Sequence, residues 1–417
     1  MSVAALASPP QQVRAFHLSG QVLILLIALR WLAGIGENFG LGAISEIAGL
    51  GMLLALGLLT LTDLRLARGP ALFGAGILAW LFVALLSCIA NSDIGVMDAI
   101  SLFALLALYG LFLNSASLNF RDRAILRPLR LFTVMFILGG GALCVAQILT
   151  GTGFVEAGKE TVMRAYGSDV HPVSFSIQML AALVILEVVR VKDGRPVGVV
   201  HIGLLAVGMI AIYLTFARTA WAMGLLVVTY CALANARWGL RIVSLGCVIF
   251  ATVAVLLWSD RFSDLRSLPM FLSHFSFDNA GYDFRFIDNS LSWRVVNWTY
   301  GFQQALEQPF FGFGPGQSAG SSYFNLEMHN IVLETFFEGG VFGVIALLIT
   351  LLGLVGLHRR LPRQSAPDRY VRTLTNGFGF ALLLAVLMST SLVDQLMTIL
   401  MYLVLLAVAE GVQAGKG

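Results

Sequence analysis

Long apolar runs recur from one end of this chain to the other, and they limit what it can fold into. Hydrophobic residues make up 58% of the sequence and charged residues only 12%, too few to give every helix a polar face. A run of about 18 or more apolar residues can cross the hydrocarbon core of a bilayer as a helix. The pattern therefore excludes a soluble globular protein and predicts an all-α polytopic membrane protein.

Run length predicts about twelve transmembrane helices. They are expected near residues 18–36, 42–61, 71–90, 96–114, 129–150, 172–190, 198–215, 219–236, 241–258, 330–357, 373–391 and 395–411. The chain then divides into residues 1–258 with helices 1–9, residues 259–329 as one large loop, and residues 330–417 with helices 10–12. Gly, Pro and Asn interrupt the large loop, which predicts a partly helical segment rather than a separate domain.

Arginine and lysine are concentrated in the links that follow alternate spans, for example residues 121–130, 190–195 and 359–372. Such links face the cytoplasm, so both termini are predicted to be cytoplasmic and the large loop lies on the outer side. An even number of spans agrees with this arrangement. In a Gram-negative cell the outer side is the periplasm, and the chain would be a multi-pass protein of the inner membrane in contact with its lipids.

Three arginines contradict the charge rule in positions that suggest a binding site. Arg218 lies in FARTAW between two spans with almost no loop, Arg164 lies just before a span, and Arg294 begins a helical pattern. An ionisable residue at a span end is costly unless it reaches the headgroups, pairs or serves a site. Each arginine alone could contact lipid headgroups, but planar guanidinium groups also bind phosphate oxygens in pairs. Convergence on one outer face predicts a phosphate-bearing ligand.

Two histidines and one acid are further candidates on the same side. His329 opens the span after the large loop, where an imidazole could act as a general base, or alternatively cap the helix or contact headgroups. His171 precedes Pro172 near Arg164 and could join the same pocket. Asp394 is a lone acid in the last outer turn, where it could orient a pocket residue or cap the last helix.

A glycine-rich bend, residues 310–320 (FFGFGPGQSAG), lies within the large loop. Glycine allows a backbone to approach a ligand closely. The bend lacks the residue order of a nucleotide-binding P-loop, which argues against an ATPase. The outer loops contain no clustered carboxylates, so we expect no metal and no cofactor, and nothing indicates a nucleic-acid partner.

These motifs resemble those of the O-antigen ligase and polymerase superfamily. The similarity covers about residues 210–345 and consists of Arg218 in FARTAW, Arg294 and Trp298 in WRVVNW, the PFFGFG bend, the His329-Asn330 pair and the EGGVFG segment that follows. The resemblance implies a GT-C-like membrane enzyme that transfers glycan from undecaprenyl diphosphate. It implies that His329 is the base and that Arg218 and Arg294 hold the diphosphate, with Arg164 as a third cation. Trp298 and Asn330 are then expected to contribute to substrate binding, although Trp298 could instead pack in the core, and the positions of His171 and Asp394 add these two residues to the predicted substrate site.

Within the superfamily, one large outer loop and a compact chain favour the ligase that joins O-antigen to a sugar hydroxyl of lipid A-core. The reaction would be metal-independent and would invert the anomeric centre. An O-antigen polymerase and a protein O-oligosaccharyltransferase share the same motif. A transporter of lipid-linked glycans is the alternative from another class, although transporters tend to show internal repeats and charges near the midplane. The sequence defines neither the oligomeric state nor the acceptor sugar.

Overall fold

A computed structural model describes residues 24–25, 27–29, 31–32, 34–36, 71–91, 123–155, 163–169, 171–235, 269, 290–320, 328–389 and 396–412. Three predicted spans, at 42–61, 96–114 and 241–258, lie outside the described residues, as does Asp394. The helical residues between 24 and 36 fall within the first predicted span.

The described chain is helical apart from one small sheet. Its helices are α1 (Ala71–Ala90), α2 (Leu126–Thr150), α3 (Pro172–Lys192), α4 (Val199–Leu214), α5 (Arg218–Asn235), α6 (Ser290–Ala305), α7 (Gln317–Gly320), α8 (Ile331–Arg360), α9 (Ala366–Ser389) and α10 (Leu396–Gly411). A 3-10 turn (Arg123–Ile125) leads into α2. The strands β1 (Phe154–Val155) and β2 (Met163–Arg164) pair antiparallel.

Five of these helices, α1, α2, α3, α8 and α9, are long and apolar enough to cross a membrane, and α4, α5 and α10 are shorter apolar helices. The predicted class of a helical membrane protein is confirmed at this level, whereas the number of twelve spans stays a prediction. The sheet departs from the all-α expectation. Each strand is only two residues long, which is too short to show the alternation of apolar and polar side chains that predicts a strand. The sequence therefore carries little signal for this sheet.

Helix α3 is the centre of the bundle. It packs against α2, α4, α5, α9 and α10, and 17 of its 21 residues are buried. A helix that is apolar on every face has no solvent-facing side and suits this position. Because α3 begins at Pro172 and ends at Lys192, it spans from the end that carries Arg164 and His171 to the opposite, basic end.

Glycines allow α1 and α8 to pack closely along their length. A Cβ atom on Gly76 would lie 2.5 Å from the backbone nitrogen of Thr350, and one on Gly353 would collide with the backbone of Phe73. Small residues permit such close approach between membrane helices, where dispersion contacts replace the hydrophobic effect as the main attraction. Helix α1 is thereby held against the helix that His329 precedes.

At the basic end, a buried ion pair joins α3, α9 and α10. The fully buried Lys192 places Nζ 3.0 Å from Asp368 Oδ1 and donates to the carbonyl of Val412 at 2.6 Å. The Ser365 hydroxyl donates to the other oxygen of Asp368 at 2.7 Å. A buried charge is tolerated when it is paired and hydrogen-bonded in this way. Lys192 belongs to one of the links predicted to face the cytoplasm, and this sidedness stays a prediction.

Helix α8 is broken at Gly340, whose φ of 61° and ψ of −158° are not helical. In a regular helix, the amides of residues 341 and 342 would donate to the carbonyls of residues 337 and 338. Here all four groups bond to the glycine bend and the proline before it: Phe313 N to Phe337 O (2.9 Å), Gly314 N to Glu338 O (3.0 Å), Val341 N to Pro309 O (2.8 Å) and Phe342 N to Phe310 O (3.4 Å). The break and the bend therefore complete each other's hydrogen bonding.

Replacing Gly340 with alanine should disrupt this arrangement. The φ and ψ of Gly340 belong to a region open almost only to glycine, and a Cβ atom there would collide with the backbone of Phe310. We expect Gly340→Ala to lower the free energy of unfolding by about 3 kcal/mol, measured by thermal or denaturant unfolding in detergent.

Gly356→Ala is the matched control on the same helix, because a Cβ atom at Gly356 would meet nothing within 4 Å. This change should be neutral or should stabilise the protein by about 0.5–1 kcal/mol, through the higher helix propensity of alanine. Equal stability of the two variants would contradict the role assigned to Gly340.

Candidate functional site

Arg218 lies at a tight junction between two helices. Residues 215–217 connect α4 to α5. Arg218 is the first residue of α5, and its side chain is exposed. Phe216 in this link has a φ of 49°, which is uncommon for a residue other than glycine. The start of a helix carries partial positive charge, so a guanidinium group there is unfavourable by itself. Together the helix start and the guanidinium group form a positively charged position that suits an anion.

Arg164 is held at the same junction. It lies in β2, and its Nε atom donates to the carbonyl of Thr215 at 3.0 Å. The next residue, Ala165, donates its amide to the carbonyl of Leu214 at 2.9 Å. The structure therefore brings the Arg164 strand to the link that precedes Arg218.

Gln147 anchors the segment that carries Arg164. Its Oε1 atom accepts from the amides of Tyr166 and Gly167 at 3.0 and 2.8 Å, and its Nε2 atom donates to the Gly167 carbonyl at 2.9 Å. The indole of Trp31 donates to Ser168 Oγ at 2.8 Å. Sequence reasoning missed these residues, and the available signal was a lone amide inside the apolar run of α2.

His171 acts as the N-cap of α3 in this structure. Its Nδ1 atom accepts from the amide of Val173 at 3.2 Å, so a neutral His171 carries its proton on Nε2. The ring contacts Phe154 of β1 edge-on, with the centroids 5.6 Å apart. Capping accounts for this residue, and a part in substrate binding stays a prediction.

The helix that carries Arg294 packs against the residue before His329. The indole nitrogen of Trp298 donates to the carbonyl of Met328 at 2.5 Å. On the same helix, a Cβ atom at Gly301 would collide with the end of the Met328 side chain. Helix α6 is thus fitted to Met328, and the half-buried Arg294 lies one turn before Trp298. This contact commits the polar atom of Trp298 to holding the structure together.

His329 itself has a strained backbone, with a φ of 51°. The following residue, Asn330, caps α8 by accepting from the amides of Val332 and Leu333, each at 3.1 Å. Asn330 rather than His329 therefore supplies the cap, and any substrate contact by Asn330 would come from its Nδ2 atom. The Nδ1 atom of His329 is shielded from solvent.

Within the described residues, Phe216 and His329 are the two non-glycine residues with positive φ. One lies two positions before Arg218, and the other is the predicted base. Strained backbone costs of the order of 1–3 kcal/mol and persists where surrounding contacts impose it, often at functional sites. The two strained residues lie close to Arg218 and at His329, and both of these residues belong to the motifs that resemble those of the superfamily.

A small hydrophobic cluster connects these parts. Ala305, Met328 and Phe337 form its buried centre, and Trp298, Phe313, Leu333 and Phe336 pack against it. Phe313 of the glycine bend stacks on Phe337 with ring centroids 4.8 Å apart. The Arg294 helix, the bend and the entrance to α8 therefore share a core that is separate from the main core of the bundle.

Ser87 of helix α1 and Asn91, which directly follows that helix, are two polar residues that sequence reasoning did not identify. The buried Ser87 points its hydroxyl at the carbonyls of Gly312 and Glu338, at 3.3 and 3.2 Å. Asn91 donates to the Gly312 carbonyl at 3.0 Å. The only local signal is that both residues are polar at the end of an apolar run. They fasten the bend and the broken helix to the bundle.

The candidate residues thus form two groups. Arg164 is hydrogen-bonded to the link that leads into Arg218, while Arg294 and His329 are connected through Trp298 and Met328 at the start of α8. Helix α9 packs against both α5 and α8. No three His, Cys, Asp or Glu side chains among the described residues are grouped so that they could hold a metal ion, and metal independence stays a prediction.

Comparison with known proteins gives one family. Residues 202–348 match the family model described as O-antigen ligase, whereas no curated protein matches the chain. The matched segment contains Arg218, Arg294, His329 and the break in α8, and it leaves out Arg164, His171 and Asp394. Over residues 202–348, about a third of the chain, the sequence is thus similar to the O-antigen ligase family.

Proposed function

We propose that this protein is an O-antigen ligase. It transfers polysaccharide from undecaprenyl diphosphate to a sugar hydroxyl of lipid A-core, at the periplasmic face of the bacterial inner membrane. The observation that carries the proposal is that the segment matching the family contains Arg218, Arg294 and His329 together. The contacts between the Arg294 helix and the residue before His329 support a shared site.

In this proposal His329 removes the proton of the acceptor hydroxyl. The acceptor oxygen forms a bond to the anomeric carbon of the donor sugar as the bond from that carbon to the diphosphate oxygen breaks. The electron pair leaves with the diphosphate, and the proton remains on the imidazole. Direct displacement from the opposite face inverts the anomeric centre.

The arginines bind the leaving group. Arg218 and Arg294 offset the charge that grows on the diphosphate as the bond breaks, which is the kind of interaction that lowers a transition-state barrier most. Arg164 adds a third cation, since its strand is bonded to the link before Arg218. Guanidinium groups keep their charge at all physiological pH values and can bind two phosphate oxygens at once.

The acceptor distinguishes a ligase from the other members of the superfamily. Purified protein is incubated with an undecaprenyl-diphosphate glycan and one of three acceptors: lipid A-core, a second undecaprenyl-diphosphate glycan or an acceptor protein. The products are separated on a gel. We expect product with lipid A-core alone. Product only with the second lipid-linked glycan would identify a polymerase, and product only with an added acceptor protein would identify a protein O-oligosaccharyltransferase.

Replacing His329 separates catalysis from stability. His329→Gly removes the proposed base, so transfer should fall by about 10²–10⁴-fold. Glycine accepts a positive φ without strain, so the melting temperature in detergent should not fall. His329→Asn tolerates the same backbone and should also be inactive. Substantial transfer by either variant would remove His329 as the base.

Arg218→Lys tests the diphosphate contact, because it keeps the charge and loses the two-pronged geometry. We expect kcat/KM for the lipid-linked donor to fall by about tenfold or more. Arg195→Lys is the matched control, since Arg195 pairs with Asp193 at the opposite, basic end of α3, and it should transfer at the normal rate. Undiminished transfer by Arg218→Lys would argue against two-pronged binding.

A further inference from the structure

Glu338 is an acidic residue inside a candidate membrane span, and the proposed mechanism gives it no part. It lies in α8 immediately before Gly339 and the break at Gly340, and its side chain is half-buried. An ionisable side chain within a span is expensive and usually serves a specific purpose. The contacts of this carboxylate indicate what that purpose is.

The Glu338 carboxylate holds the glycine bend. Its Oε1 atom accepts from the amide of Gly316 at 3.0 Å, and the carboxylate is also within hydrogen-bonding reach of Ser318. The main-chain carbonyl of Glu338 accepts from the amide of Gly314 at 3.0 Å. One turn earlier on the same helix, Glu334 Oε1 accepts from the hydroxyl of the buried Ser318 at 3.4 Å. The bend is therefore bound to α8 by the main chain up to Gly314 and by carboxylates beyond it.

The far half of the bend needs such an anchor. Gly314 and Gly316 both have positive φ, at 106° and 75°. Glycine loses more conformational freedom on ordering than any other residue. The four backbone bonds that complete the break in α8 end at Gly314, so they leave the Gly316 turn to be held by side chains.

The bend in turn is part of the structure around His329. Phe313 stacks on Phe337, and both belong to the small cluster that includes Met328, the residue before His329, and Trp298 of the Arg294 helix. A displacement of the bend would be transmitted through these packed side chains. Small displacements of positioning elements are costly for catalysis.

We propose that Glu338 is a positioning residue that fixes the far half of the glycine bend through the Gly316 amide, acting as a hydrogen-bond acceptor and not as a proton-transfer group. This inference rests on the proposed function for its effect on activity. A main-chain amide is satisfied equally well by a carboxylate oxygen or by a side-chain amide oxygen. The negative charge is therefore dispensable, and the acceptor oxygen is not.

Two substitutions separate these roles. Glu338→Gln keeps an acceptor oxygen and should retain kcat/KM within about threefold, with an unchanged pH profile. Glu338→Leu removes the acceptor and should lower kcat/KM by about tenfold or more, the scale of one lost hydrogen bond. Hydrogen–deuterium exchange of the peptide containing Gly316 reads the contact directly: exchange should be faster by about tenfold in Glu338→Leu and close to normal in Glu338→Gln.

Glu307→Leu is the matched control. Glu307 is an exposed glutamate after α6 that accepts from Gln304 at 3.2 Å, and its loss should change neither activity nor exchange at Gly316. Where Glu338→Leu does not fold, Glu338→Asp serves instead, because its shorter side chain withdraws the carboxylate and should also speed exchange.

Three results decide the matter. The proposal would be overturned if Glu338→Gln folded but was as inactive as Glu338→Leu, because the carboxyl group itself, and not only its acceptor oxygen, would then be needed. Unchanged exchange at Gly316 in Glu338→Leu would overturn it as well. The third result combines two measurements: faster exchange at Gly316 in Glu338→Leu, and no transfer of glycan by the wild-type protein to any acceptor. That result would support the contact between Glu338 and the bend and would reject the ligase function.

Discussion

The hydrogen bonds between the broken helix α8 and the glycine bend are the interaction on which the candidate site depends. A helix interrupted inside a membrane protein leaves backbone groups that no water can satisfy, and irregular backbone is tolerated there when other protein groups pair with it. Gly340 interrupts α8, and the segment that begins at Pro309 supplies two donors and two acceptors in return. Ser87 of α1 and Asn91, which directly follows it, then secure the joined segments to the bundle.

This pairing brings together two motifs that are distant in the sequence. The glycine bend is hydrogen-bonded to the helix where the EGGVFG segment breaks it, and aromatic residues of both segments pack in the small cluster around Phe337. The cluster joins the Arg294 helix to Met328 and so to His329. A second fixed point, the Thr215 carbonyl, joins Arg164 to the link before Arg218. The two groups of candidate residues are thus each built around backbone that departs from regular geometry.

Prediction from sequence worked where the signal is local. Apolar run length located α1 at residues 71–90, and the helical pattern that begins at Arg294 falls in the helix that the structure places at Ser290–Ala305. The strands and the contacts of Gln147, Ser87 and Asn91 were not anticipated. Ser87 and Gly312 are 225 residues apart, and their contact depends on α1 packing against α8 through glycines. A pattern within one segment contains no information about such a partner.

The sequence by itself determined the helical membrane class, the resemblance to the O-antigen ligase superfamily and the choice of candidate residues. These follow from hydropathy over one span and from motif residues that are close together along the chain. Only the tertiary structure decided how the residues are held: that Asn330 caps α8 while His329 takes a strained backbone, that the Trp298 indole is committed to Met328, and that Glu338 binds the Gly316 amide. The physical reason is that each of these roles is a hydrogen bond or a φ angle imposed by neighbouring segments, and side-chain chemistry alone does not specify it.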